Sequence, residues 1–169
     1  PEDCREVVFS DVGWTDITAT TATTATVLEG LGYAVDTKVL SVPVTYQSLA
    51  NGDLDVFLGN WMPTMEADIR PYLEEGTVEI VRTNLEGAKY TLAVPTYLAE
   101  QGLTDFADIA EFEEELDGEI YGIEPGNDGN RLIQSMIEND SFGLGGFEVV
   151  ESSEQGMLAQ VRRAVDRNE

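Results

Sequence analysis

Apolar residues recur along this chain in short bursts, and the spacing within each burst predicts strands alternating with helices. Residues 6–10 (EVVFS) are β-rich and end at a polar turn, so they read as an opening strand. A helix is expected over about 16–31, opened by Thr15 or Asp16 as N-cap and closed by Gly30 and Gly32. Its first half, TDITATTATTAT, resembles a low-complexity linker and holds mediocre helix formers. Ile17, Ala22, Ala25 and Leu28 nevertheless sit near helical spacing and favour the helix.

A strand is expected over 36–40 and a helix over 44–50, then a turn at Asn51-Gly52 and a buried strand over 54–58. The segment GNWMP interrupts the rhythm before a short acidic helix, 64–73, and a strand, 78–82. Residues 84–89 (NLEGAK) are polar and contain glycine, which suits a crossover between a first lobe, 1–86, and a second, 87–169. In the second lobe the expected order is strand 90–94, helix 105–116, strand 119–123, helix 128–138, strand 147–150 and helix 153–166. Strands and helices alternating in this way predict an α/β fold with ligands at the carboxyl ends of the strands.

Charge narrows the choice of ligand. Thirty-three acidic residues against 9 basic ones give a net charge of −24. Such a surface repels phosphate backbones and anionic membranes, so no nucleic-acid partner is expected, and it favours cations. The chain has no histidine, the usual general base and a common metal ligand, and Cys4 is its single cysteine. An internal disulfide and a thiolate cluster are therefore ruled out. No apolar run is long enough to span a bilayer, and a chain that starts at Pro1 is expected to have had any targeting segment removed or to lack it here.

Three unusual segments follow expected strands. SDVGWTD carries Trp14 and Asp16, GNWMPTMEAD carries Asn60 and Trp61, and EPGNDGNR carries Asn127 and Asp128, while Tyr90 opens the strand after the crossover. Aromatic faces attract cations, and several rings can cage one that has no hydrogen to donate, such as a quaternary ammonium. Each residue also has a plainer reading. A Trp can be a packing residue, Asp16 a helix cap, and Asn127 a turn former. Enzyme readings are weaker: GNDGN lacks the phosphate-loop spacing and the EF-hand acidic series, and no GxSxG elbow occurs. Runs such as 113–115 read as a solvated helix face. No residue pattern requires catalysis or a cofactor.

The stretches FSDVGWTDITAT, VLSVPVTYQSLANGDLDVFLGNWMPTMEADI, NLEGAKYTLAV, YGIEPGNDGNRLI and FEVVESSEQGMLAQV span about 7–161. Together they closely resemble the glycine-betaine/choline substrate-binding family of bacterial ABC importers, in particular its periplasmic choline-binding members. The resemblance implies a two-lobed periplasmic binding protein architecture (type II-like), with hinge closure on the ligand and an ABC permease as partner. Trp14, Trp61 and Tyr90 match aromatic walls of the family's ammonium cage. Asp16 and Asn127 match the groups that engage the choline hydroxyl, with Asp16 adding negative charge. Choline then suits Asp16 better than glycine betaine, whose own carboxylate Asp16 would repel. Acetylcholine and carnitine are further candidates.

In the family the chain continues past this point, adding another tryptophan wall and a cysteine that pairs with the amino-terminal one. The second lobe is therefore expected to be incomplete at the carboxyl end, and Cys4 to lack its partner. Self-association or a complementary carboxyl-terminal segment could cover the apolar surface this leaves, and a fragment that binds little ligand is the alternative. Seven arginines against two lysines, with 33 acids, resemble the surface of a salt-adapted protein. Raising salt from low to molar concentration should therefore raise the thermal midpoint as self-repulsion is screened. A flat or falling midpoint in a salt series would contradict this.

Overall fold

The computed structural model describes residues 5–167, so Cys4 lies outside the described residues. Two compact units divide the chain, Pro1–Glu86 and Gly87–Glu169. In the first unit the order is β1 (Glu6–Asp11), α1 (Thr15–Gly30), β2 (Ala34–Val39), α2 (Val42–Asn51), β3 (Val56–Phe57) and α3 (Glu66–Glu75). The strands form a parallel sheet of order β2-β1-β3. Its central strand runs Glu6↔Ala34 to Asp11↔Val39 on one side and pairs Phe9 with Val56 and Ser10 with Phe57 on the other. Phe9, Ile17, Val42, Tyr46, Leu54, Met65 and Ile69 are buried and form the core of this unit. A buried hydroxyl pair, Ser10 Oγ to Thr45 Oγ1 at 2.6 Å, ties β1 to α2.

Helix α1 shows how a threonine-rich segment stays helical. Thr20, Thr23, Thr24 and Thr26 donate their hydroxyls to carbonyls four residues back, so the side chains compete little with the backbone ladder. The inward line runs through Ile17 and Thr21 and continues through the half-buried Thr24, Ala25 and Leu28. Ala22, expected on that line, is exposed because Thr21 holds the position one turn from Ile17. The N-cap is Trp14 rather than Thr15 or Asp16. Asp11 explains the shift: its carboxylate accepts the Gly13 N–H at 2.7 Å and the Thr18 hydroxyl at 2.8 Å, so the turn closes one residue early.

The second unit contains α4 (Thr96–Glu100), a 3-10 segment (Phe106–Phe112), β4 (Glu119–Tyr121), α5 (Asp128–Glu138), a second 3-10 segment (Ser141–Gly146), β5 (Glu148–Val150) and α6 (Glu154–Arg167). Strands β4 and β5 pair in parallel. Leu98, Leu103, Ile109, Leu144 and Phe147 make its core. No helix among the described residues is long and apolar enough to cross a membrane.

Several expectations fail for identifiable reasons. Segments 78–82 and 90–94 are irregular rather than strands. A strand exists only where a neighbour takes up its backbone groups, and among the described residues neither segment pairs in a sheet. Val81, at 84% exposed, has no core to face. The helix expected over 105–116 is a 3-10 segment followed by turns. Its apolar Phe106, Ile109 and Phe112 recur every third residue, the period of the tighter helix. A capping box between Asp105 and Asp108 starts it, and N–H bonds from Thr104 and Asp105 hold the Asp108 carboxyl below its ordinary pKa. Helices α4 and the 141–146 turn were not expected; both are too short for periodicity to register.

Truncation should separate core from surface in the second unit. Leu144, fully buried, should cost about 2–5 kcal/mol on change to alanine. Leu158, half exposed on α6, should cost less than about 1 kcal/mol. Urea midpoints of the two variants check this, and equal losses would contradict the assigned core.

Candidate functional site

Each unit carries its own cluster of the residues singled out from the sequence. In the first, β1 and β3 are parallel neighbours, so their carboxyl ends lie at one edge of the sheet. The Trp14–Asp16 turn leaves that edge after β1, and Asn60 and Trp61 leave it after β3. Asp11, only 6% exposed, pins the first turn through its bonds to Gly13 and Thr18. Gly13 has φ +82°, a conformation that glycine adopts without strain. Trp14 is buried, while Asp16 is exposed in the first turn of α1, where a carboxylate also suits the helix dipole.

The second loop is fixed from below. Tyr46, buried on α2, donates its hydroxyl to Asn60 Oδ1 at 2.8 Å. Its ring meets Phe57 edge-on at 6.0 Å and stacks against Tyr72 at 6.1 Å. Trp61 is held through its backbone: its N–H donates to Met65 Sδ at 3.1 Å, and its carbonyl accepts the Met65 N–H at 2.9 Å and the Thr64 hydroxyl at 3.1 Å. Its side chain is half-buried. Gly59 allows the close approach of this loop to α1, since a Cβ there would stand 2.8 Å from the Phe57 ring and 2.9 Å from Ile17.

In the second unit, the loop after β4 leads into α5 with Asn127 as N-cap. Asn127 Oδ1 accepts the Gly129 N–H at 2.8 Å, and its Nδ2 donates to Glu124 Oε1 at 3.2 Å. The plainer reading of Asn127 as a turn former fits this geometry, and the structure adds that it caps α5. Its carbonyl oxygen keeps a second lone pair, so capping does not preclude accepting a bond from a ligand hydroxyl. Asn130, 4% exposed, staples the loop: Oδ1 accepts the Ile123 N–H, and Nδ2 reaches the carbonyls of Ile123 and Glu124 and the Glu151 carboxylate.

Tyr90 lies beside this helix start although it is in no strand. The residue is 61% exposed, yet its hydroxyl end is pressed against Gly129. Burial of that end, with the Asp128 and Glu124 carboxylates close by, pushes the phenol up to about 12. Tyr90 therefore stays a neutral ring with an intact hydroxyl far above neutral pH. Asp128 is 5% exposed, and its Oδ2 has no hydrogen-bond partner among the described residues.

The turns that carry Trp14, Asp16 and Trp61 thus leave one edge of the first sheet, and in the second unit Tyr90 and Asn127 meet around Gly129. Both clusters combine aromatic faces with carboxylates, a chemistry that holds a cation without requiring a donor from it. Among the described residues, no group of three or more carboxylates or thiols could hold a metal ion. Sequence reading missed the residues that shape these clusters. Asp11, Tyr46, Asn60 as a bond acceptor, Met65 and Asn130 act through tertiary partners, and Gly129 acts by having no side chain. Only the density of polar residues after β1 and of glycines before α5 hinted at them.

The chain is similar to known proteins over its whole length. Residues 5–169 match the model of the substrate binding domain of ABC-type glycine betaine transport systems (OpuAC). A solved ABC-transporter choline binding protein in complex with choline is 70% identical, with a TM-score of 0.94. The match takes in 100% of this chain and 58% of that one, so this chain spans well under two thirds of its solved relative. Lactococcal OpuAC, closed and complexed with glycine betaine, is 25% identical with a TM-score of 0.82, covering 98% of this chain and 62% of that one. An uncharacterized protein, ORF1, of Chromohalobacter salexigens is 53% identical over 130 residues, 77% of this chain and 84% of that protein. The chain belongs to the family of substrate-binding domains of ABC-type glycine betaine transport systems.

Proposed function

We propose that this chain serves an ABC importer, outside the cytoplasm, as the choline-binding part of its receptor, handing cargo to a membrane permease without altering it. The observation that carries the reading is the single sheet edge at which Trp14, Asp16 and Trp61 emerge, on turns fixed by buried polar groups. The 70% identity to a protein that binds choline supports it. In this reading Trp14, Trp61 and Tyr90 supply ring faces to the trimethylammonium group. Asp16 and Asn127 take the choline hydroxyl, and the carboxylate of Asp16 adds attraction for the cation.

Glycine betaine is the second reading, favoured by the family's description and by the betaine-bound relative. Charge separates the two ligands. Both carry the same cationic head, but betaine brings a carboxylate that must approach Asp16 in place of choline's hydroxyl. Asp16 is exposed in the first turn of α1, so an Asp16→Asn variant, which keeps the shape of the side chain, isolates its charge.

Isothermal titration of the chain with choline and with glycine betaine tests the assignment. Choline should bind saturably and more tightly than betaine. Trp61→Ala should weaken choline by about two- to thirty-fold, the worth of one cation–π wall. Asp16→Asn should weaken choline and narrow its advantage over betaine. Betaine binding equal to or tighter than choline would favour the second reading. A folded chain that binds neither would overturn both.

A further inference from the structure

The first turn of α5 contains a position whose demand the cap alone does not explain. The geometry points to Gly129 as a positioning residue for Tyr90: by lacking a side chain, it lets the tyrosine hydroxyl rest on the first turn of α5 and so sets where the ring stands. This rests on the reading of Tyr90 as a wall of the ligand site.

A Cβ at residue 129 would lie 2.2 Å from Tyr90 Oη and 3.2 Å from Cζ. No unbonded carbon and oxygen approach to 2.2 Å, so any side chain at 129 must displace the phenol. The backbone does not call for glycine here, because Gly129 is absent from the positive-φ residues and lies within regular helix. Its N–H bond to Asn127 Oδ1 is one that any residue except proline can make, although a Cβ would stand 3.0 Å from that oxygen and ask it to give by a few tenths of an ångström. Alanine is the better helix former, so the fold by itself would favour the substitution. Tyr90 is 61% exposed, which leaves its ring room to swing outward at little cost to the fold. The severe clash at 129 is therefore with the tyrosine hydroxyl, while the cap oxygen needs only a small shift.

Four chains test this: the unaltered one, Gly129→Ala, Tyr90→Phe, and the double variant. Gly129→Ala should keep or raise the thermal midpoint while weakening choline by about two- to thirty-fold, as for a misplaced aromatic wall. Tyr90→Phe removes the atom that clashes, and the remaining contacts, 3.0 Å to Asn127 Oδ1 and 3.2 Å to the ring carbon Cζ, need shifts of only a few tenths of an ångström. The double variant should therefore bind choline within about twofold of Tyr90→Phe alone. A merely structural role for Gly129 predicts the opposite pattern, a lowered midpoint and no rescue. In the ligand-free chain, nuclear Overhauser contacts should join the Tyr90 ring protons to the Gly129 Hα and weaken in Gly129→Ala.

Unchanged choline affinity in Gly129→Ala, or a double variant as weak as Gly129→Ala, would overturn this inference while leaving the choline reading intact. Absence of the ring contact in the unaltered chain would overturn it whatever the titration shows. No choline binding by the unaltered chain would overturn the functional reading and this inference with it.

Discussion

The parallel pairing of β1 with β3 is the constraint on which the first unit depends. Only two residue pairs, Phe9 with Val56 and Ser10 with Phe57, make that ladder. They nevertheless decide that the turns bearing Trp14 and Trp61 leave the sheet at one edge; an antiparallel pairing would put them at opposite edges. So short a ladder needs reinforcement. The Ser10–Thr45 hydroxyl pair, the Tyr46–Asn60 bond and the packing of Phe57 against Tyr46 supply it from α2. The turn that carries Asn60 and Trp61 is thus tied to α2 by a small polar and aromatic layer, while Asp16 stays exposed.

Chain charge and local chemistry act in the same direction. A molecule with a net charge of −24 concentrates cations near its surface, although salt screens that attraction beyond about 8–10 Å. Within that distance selection falls to the clusters themselves. Asp16 stands at one, and Asp128 and Glu124 stand beside Tyr90 at the other. Rings offer a cation attraction without asking it to donate hydrogen bonds, which suits a trimethylammonium group better than a primary amine.

Legibility in the sequence followed the locality of the physics. Helix α5 begins at Asp128 and ends at Glu138 as expected, because Asn127 carries its own cap and the helix needs no distant partner to declare itself. Helix α6 and strands β4 and β5 also fall within a few residues of expectation, the two strands because each finds the other as its parallel partner. Segments 78–82 and 90–94 have strand-like composition, but strand formation depends on a neighbour that composition does not reveal. The 106–112 segment has a three-residue apolar period that a helical template absorbs too readily. Trp14, Asp16, Trp61, Tyr90 and Asn127 stood out because tryptophans and asparagines in glycine-bearing turns are conspicuous. Asp11, Met65 and Gly129 did not, because an acid at a strand end, a buried methionine and a glycine in a turn look ordinary until their tertiary partners are known.

The account stands or falls on the ligand being selected as a cation and not merely as an apolar shape. Comparing choline with 3,3-dimethyl-1-butanol, in which carbon replaces the quaternary nitrogen, isolates that one property. Choline should bind at least about tenfold more tightly, since the ring faces and Asp16 both favour positive charge. Equal affinity for the neutral compound would show that apolar burial alone holds the ligand, and would contradict the assignment of a cation site.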